Sequence, residues 1–174
     1  MSVRVETARL SLVPLGVRWC DEVLAMHHDP KVAYWLFLDA PPTREQQSAR
    51  LAANETLWAE RGYGLFAVLE KPTDKFVGRV GALLTPETGR IEIAWTTVSA
   101  VHGKGYASEA AKASIDYTFA HSNLPDLDCY LRPDNHASRR VAEKVGFRYQ
   151  DTRWLYDRVL RFYKMPRKSA EKAH

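Results

Sequence analysis

The sequence predicts a single α+β domain, on three observations. Its 174 residues are enough for one sizeable core. Apolar residues recur at three- and four-residue spacing in segments before residue 62 and after residue 105. Between them stand three short apolar runs separated by turn sequences, the pattern of an antiparallel meander.

The elements follow in order. Arg9 to Pro14 alternates polar and apolar and stops at proline, which makes a first strand. Around Arg18 to His28, residues Val17, Cys20, Val23, Leu24 and His27 recur at helical spacing, and Asp29-Pro30 breaks that helix. A short apolar stretch, Val32 to Leu38, runs toward Pro41-Pro42. Thr43 then caps a helix, with Gln46 completing a capping box, and Gly62 ends it after Arg61. The meander strands are Leu65 to Leu69, Phe76 to Leu84 and Arg90 to Trp95; Lys71-Pro72-Thr73-Asp74 and Pro86-Glu87-Thr88-Gly89 supply the turns. On the third strand Ile91 and Ile93 share one face and Glu92 takes the other. Gly105 to Ser122 is a helix whose Ala107, Ala110, Ala111, Ser114, Ile115 and Thr118 form a stripe suited to close packing on a sheet. Asp128 to Leu131 is a short strand, Arg132 to Asn135 a loop, and Ala137 to Val145 a helix ended by Gly146. Phe147 to Tyr156 and Arg158 to Lys164 form a closing hairpin. One domain therefore spans residues 1–164, and 165–174 form a polar, basic tail expected to fray.

Composition excludes several classes. Apolar residues make up 45% and charged residues 26%, which excludes a disordered chain, a collagen-like repeat and a low-complexity filament. No apolar run approaches the ~20 residues of a membrane span, and the start, Met-Ser-Val-Arg-Val-Glu, carries no secretory signal. Cys20 and Cys129 are far apart and form no CxxC pair, which reads as reduced thiols in a cytoplasmic protein. The net charge of +4 permits an anionic partner without demanding nucleic acid. No metal site is expected: adjacent His27 and His28 diverge by about 100° on a helix, and HExxH is absent.

The segment Val101-His102-Gly103-Lys104-Gly105-Tyr106-Ala107 carries the chemistry. It joins a strand to a helix, and its glycines permit positive φ and close backbone approach to a ligand. The free amides of the first helical turn, with the helix dipole, make an anion site suited to pyrophosphate. A connection that merely starts a helix would read the same way on local physics alone. Neither GxxxxGK[ST] nor GxGxxG is present, which demotes kinases, NTPases and NAD enzymes.

Here the sequence resembles a known family. Glu92-Ile93-Ala94-Trp95, seven further residues, then Gly103-Lys104-Gly105-Tyr106-Ala107-Ser108-Glu109-Ala110 resemble the acetyl-CoA-binding motif of the GCN5-related N-acetyltransferases, or GNATs. Asn135-His136-Ala137-Ser138, followed by Glu143-Lys144-Val145-Gly146-Phe147, resembles that family's second signature. The opening Glu6-Thr7-Ala8-Arg9-Leu10-Ser11-Leu12 is similar to the start of the ribosomal-protein N-terminal acetyltransferase branch, the RimJ/RimL type.

The resemblance implies a mixed, twisted sheet of about seven strands with about four helices, splayed between the Glu92 and Asp128 strands. It places acetyl-CoA as co-substrate in that opening. The pantetheine would pair with backbone after a bend near Trp95, Thr96 and Thr97, and the pyrophosphate would sit on the amides of His102, Gly103, Lys104, Gly105, Tyr106 and Ala107. Asn135 would hydrogen-bond the pantetheine arm or a catalytic water. Glu92 is the catalytic base or substrate anchor that the resemblance implies; the bare sequence equally allows a solvent-facing glutamate. Ser138 would donate a hydrogen bond to the departing sulfur. Two departures stand out: His102 replaces the family's usual Gln or Arg, and Ala142 replaces the tyrosine that often protonates the thiolate. The expected reaction is direct attack by a primary amine in a ternary complex, with no covalent acyl-enzyme and no metal. The acceptor is a protein N-terminus or a small amine. Neither a membrane nor nucleic acid is an expected partner, and a homodimer is compatible. The rival is a non-catalytic acyl-CoA-binding sensor of the same fold. Trp35, Phe37, Trp58 and Tyr63 are assigned to the core and the cleft wall.

Overall fold

A computed structural model describes residues 3–169. The chain begins with β1 (Val5–Glu6) and β2 (Leu10–Pro14), then α1 (Cys20–His28), α2 (Pro30–Leu36) and α3 (Arg44–Arg61). The meander is β3 (Leu65–Glu70), β4 (Lys75–Thr85) and β5 (Arg90–Thr97). It leads through a short 3-10 turn, Ser99–Val101, into α4 (Tyr106–Ala120). β6 (Asp126–Leu131), α5 (His136–Val145), β7 (Arg148–Leu155) and β8 (Arg158–Pro166) complete the fold. The strands form one sheet in the order β1-β2-β3-β4-β5-β6-β8-β7. All neighbours are antiparallel except β5 and β6, which run parallel and pair at Glu92 and Asp128 alone.

The local signals explain the elements. Both halves of the capping box form at α3: Thr43 Oγ1 accepts from the Gln46 amide at 3.2 Å, and Gln46 Oε1 accepts from the Thr43 amide at 2.9 Å. Gly62 then takes the left-handed conformation at φ +73° and stops the helix. The sheet has eight strands and the fold five α-helices, one more of each than expected. The extra helix has a clear cause. Asp29-Pro30 ends α1 but also starts α2, because the Asp29 carboxylate accepts from the Lys31 amide at 2.9 Å and Pro30 fills the first helical position. The extra strand is two-residue β1, which folds back on β2 through Thr7.

The core lies on both faces of the sheet. On one, Ala110 and Ala111 of α4 pack with Phe66, Val68 and Val80, while Ile115 packs with Ala82, Ile91 and Ile93. Buried Ser114 and Thr118 satisfy their hydroxyls on the Ala111 and Ser114 carbonyls, so the stripe costs no orphaned polar group. Tyr106 belongs to the buried stripe, and Ala107, expected in it, is only half-buried. On the other face Cys20, Val23 and Leu51 pack against Val13, Ala67 and Leu69. Each fully buried large aliphatic contributes ~1.5–3 kcal/mol. The tail boundary shifts: β8 runs to Pro166, and the Arg167 guanidinium donates to the carbonyls of Phe119, Ser122 and Leu124 at 2.6–2.9 Å. Those bonds fix residues 165–167 to the domain, whereas 170–174 lie outside the described residues.

Candidate active site in the sheet opening

Beyond the single Glu92–Asp128 bridge, β5 and β6 separate. The ladder from β5 to β4 runs unbroken to Thr97, so the bend expected near Trp95 does not interrupt it and the opening lies wholly on the β6 side. The result is a cleft of about 940 Å³. Its walls are β5, β6 and α5, with α1, α2 and the β7–β8 turn on one side and the start of α4 on the other.

The start of α4 has the form of an anion cradle. Gly103 and Gly105 both adopt φ +81°, which a side chain rarely takes. The amides of the first turn have no intrahelical partner. The loop is held from behind. Arg9 Nη1 donates to the Lys104 carbonyl at 2.8 Å. Glu109, in the first turn of α4, accepts from Thr7 Oγ1 at 2.6 Å, the Arg9 amide at 2.8 Å and Arg9 Nε at 2.7 Å. The Tyr106 ring lies under the Arg9 guanidinium, and its hydroxyl donates to Glu70 at 2.5 Å. His102 Nε2 lies 3.2 Å from the Thr97 carbonyl, where its protonated form or tautomer donates.

Glu92 lies at the closed end of the cleft, 8% exposed. Thr85 Oγ1 donates to its Oε2 at 3.1 Å, and the Tyr156 hydroxyl donates to its Oε1 at 3.3 Å. Burial pushes its carboxyl up from an ordinary 4.5 to about 7, against those two donors and the charge of Arg79. Next to it, fully buried Asp128 is held by Arg90 through Nε at 2.7 Å and Nη2 at 2.9 Å, and by the Tyr130 hydroxyl at 3.2 Å. Arg90 also pairs with Asp126. Cys129 lines the cleft, but burial holds its thiol well above the ordinary range.

On the opposite wall Asn135 caps α5, its Oδ1 accepting from the Ser138 amide at 3.0 Å, and both side chains line the cleft. Ala142 is fully buried against the cluster of Cys129 and Phe147, so no hydroxyl reaches the cleft from that position. His27 is buried, with Nδ1 3.0 Å from Gln47 Oε1 and Nε2 accepting from Arg79 Nε at 3.4 Å. Burial, with the charge of Arg79, holds this imidazole down to about 3, so it is neutral. His28 Nε2 meets the Pro42 carbonyl at 3.1 Å. Both histidines are engaged away from each other.

A family model described as an acetyltransferase (GNAT) domain matches residues 9–148. The chain belongs to the GNAT acetyltransferases. Its relatives include the N-acetyltransferase p20 of Bacillus licheniformis, itself uncharacterised, 28% identical over 142 residues, or 81% of this chain and 80% of that protein. A GNAT-family acetyltransferase from Bordetella pertussis superposes with a TM-score of 0.82 at 24% identity, covering 93% of this chain and 98% of that one. The ribosomal L7/L12 α-N-protein acetyltransferase RimL, solved in complex with coenzyme A, superposes at 0.76 with 16% identity, covering 94% and 98%. The two structures bear on fold alone.

Membership makes this chain an acetyl-CoA-dependent N-acetyltransferase. Glu92, Trp95, Thr96, Thr97, His102, Gly103, Gly105, Tyr106, Ala107, Asn135 and Ser138 all line the cleft. Lys104 does not: its carbonyl faces Arg9, and its ammonium lies over the Tyr106 ring. Trp35 and Phe37 line the cleft, whereas Tyr63 is buried in the core and Trp58 packs on Phe66. The sequence reading missed Tyr156, Arg79 and Asp128. A lone arginine inside the apolar run Val77-Gly78-Arg79-Val80 and a lone aspartate inside Leu127-Asp128-Cys129 were visible signals; nothing local marks Tyr156.

Proposed function

We propose that this acetyltransferase moves the acetyl group of acetyl-CoA to a primary amine by direct attack, with Glu92 as the general base, acting directly or through one water. The carrying observation is the Glu92 carboxyl at the closed end of the cleft, buried yet poised near neutral pH. A base with a pKa near 7 is ionised enough to take a proton from the amine and basic enough to hold it. The deprotonated nitrogen attacks the thioester carbon, and the CoA thiolate leaves with the electron pair of the broken C–S bond. The raised thiol of Cys129 is a poor nucleophile, which favours direct transfer over an acyl-enzyme.

The residues fit coenzyme A. Two left-handed glycines, Gly103 with open space in front of it, supply an approachable backbone, and the amides of Tyr106 and Ala107 supply donors for a pyrophosphate. Beyond Glu92 the β6-side edge of β5 has free peptide groups for an extended pantetheine. Asn135 and Ser138 face that edge across the cleft, where a hydroxyl near the sulfur would stabilise developing thiolate charge. The acceptor is a protein N-terminus or a small amine, and the free, buried cysteines suit a reducing compartment such as the cytoplasm.

Glu92→Gln tests the base. The variant is expected to keep its acetyl-CoA affinity by calorimetry and to lose about 10²–10⁴-fold in turnover. The parent rate should rise with pH through a limb near 7, the value burial gives Glu92, and the variant should lack that limb. A variant within a few-fold of the parent would remove Glu92 from the reaction.

A further inference from the structure

Glu92 shares its sheet face with an arginine. The register pairs Leu83 with Glu92 and Arg79 with Thr96, so all four side chains lie on the face turned from α4. Arg79 lies toward α1, and its one hydrogen bond among the described residues goes to the neutral ring of His27 at 3.4 Å. The charge of Arg50, from α3, bears on Arg79 and on His27, and both arginines line the cleft. Neither belongs to an ion pair among the described residues. Arg158 lines the same cleft from β8, and its buried Nε has no hydrogen-bond partner among the described residues. The Arg79 guanidinium is desolvated, with the charge of Glu92 acting on it but no carboxylate bonded to it among the described residues, an arrangement that a ligand anion would relieve, and exposed Arg50 adds its positive charge there. His27 props Arg79 without neutralising it, because a histidine held neutral accepts a hydrogen bond and brings no negative charge.

We infer that the acceptor is a small primary amine that also carries a carboxylate or phosphate, with its nitrogen at Glu92 and its anion on Arg79 and Arg50. The inference rests on the acetyl-transfer reading above. Planar guanidinium forks suit either anion, each of which accepts two parallel hydrogen bonds. A polyamine or aminoglycoside would bring positive charge against Arg50, Arg79 and Arg158. A small acceptor is favoured by two bonds beside the cleft: Arg132 Nη1 donates to the Tyr34 carbonyl at 2.6 Å, and Arg158 Nη2 to the Leu36 carbonyl at 3.3 Å. They tie α2 to the loop after β6 and to β8, so a peptide crossing there would have to displace them.

The test is a matched panel read as CoA thiol release: L-amino acids against their amides, glucosamine 6-phosphate against glucosamine, with spermidine and a serine-initiated decapeptide. The anion-bearing member of at least one pair should be favoured about tenfold or more in kcat/KM, and the pair that shows it identifies carboxylate or phosphate. Arg79→Gln and Arg50→Gln should each raise KM for that acceptor about tenfold, with a smaller change in kcat and an unchanged KM for acetyl-CoA. Arg50 is exposed on α3, so its variant keeps the test open if Arg79→Gln fails to fold. Preference for spermidine, the neutral partners or the decapeptide would overturn the anion assignment while leaving acetyl transfer standing. If no amine turns over, the acetyl-transfer reading falls. Calorimetry of N-acetyl amino acids and glucosamine 6-phosphate into CoA-loaded protein then decides the subsite: binding lost in Arg50→Gln sustains it, and no binding to the parent overturns it.

Discussion

Tyr156 is the residue through which the far hairpin reaches the reaction. It and Asp157 form the turn between β7 and β8 with φ of +53° and +55°, left-handed values that non-glycine residues adopt at about 1–3 kcal/mol each. The turn aims the Tyr156 hydroxyl at Glu92. Because that bond stabilises the ionised carboxyl, it opposes the burial that raises the pKa. Tyr156→Phe should therefore move the acid limb of the rate profile upward from about 7, by up to about one pH unit for a bond of about 1–1.5 kcal/mol. The plateau rate at high pH and the affinity for acetyl-CoA should hold. An unmoved limb in the phenylalanine variant would mean that the tyrosine does not tune Glu92. No sequence pattern reveals such a pairing, since the two residues are 64 apart and meet only through the order of the sheet.

At the scale of elements, the junction of the cofactor loop and α4 is the part most exposed to a single change. Gly105 precedes the first residue of α4 at φ +81°, and a Cβ there would stand 3.4 Å from Arg9 Nη2. Gly105→Val forces a β-branched residue into that conformation and crowds the arginine that braces the loop. Acetyl-CoA affinity should fall at least about tenfold, about 1.4 kcal/mol, by calorimetry on a variant whose circular dichroism matches the parent. Undiminished affinity would mean that the loop does not hold the pyrophosphate. Helix ends such as Thr43–Gln46, Gly62, Gly105 and Gly146 were legible because caps are local: a few neighbouring residues decide them. The start of α2 was misread for the same reason, since Asp-Pro serves equally as a stop and a start. Arg79 and Asp128 became meaningful only when the packing of α1 on the sheet placed Arg79 beside His27 and strand pairing placed Asp128 beside Arg90.

At the scale of the whole molecule, the raised Glu92 pKa is also a statement about stability. The folded state holds the Glu92 proton up to about 7, against 4.5 ordinarily, so between those values it binds more protons than the unfolded chain. Stability from this group is therefore complete below about 4.5 and declines as pH rises toward 7, by about 3 kcal/mol in total. Glu92→Gln removes the titration. Its denaturant midpoint relative to the parent should rise with pH across that window and level off above it; a difference independent of pH would contradict the buried, raised carboxyl. The sheet itself was legible as far as the meander, where turn chemistry joins neighbours. The adjacency of β5 and β6 came only with the resemblance, and the place of β8 between β6 and β7 only with the structure, because strands separated by helices carry no local mark of their partners. That order has a mechanical consequence. The two halves of the sheet are pinned where Arg90 grips Asp126 and Asp128 and where Glu92 pairs with Asp128, and from Glu92 to Thr97 the strand projects freely on one side. Over that lever of about 17 Å, a rotation of about 5° shifts the outer end by about 1.5 Å. Asp126, which does not itself line the cleft, thus sits at a pivot where any play would be magnified into the width of the jaws.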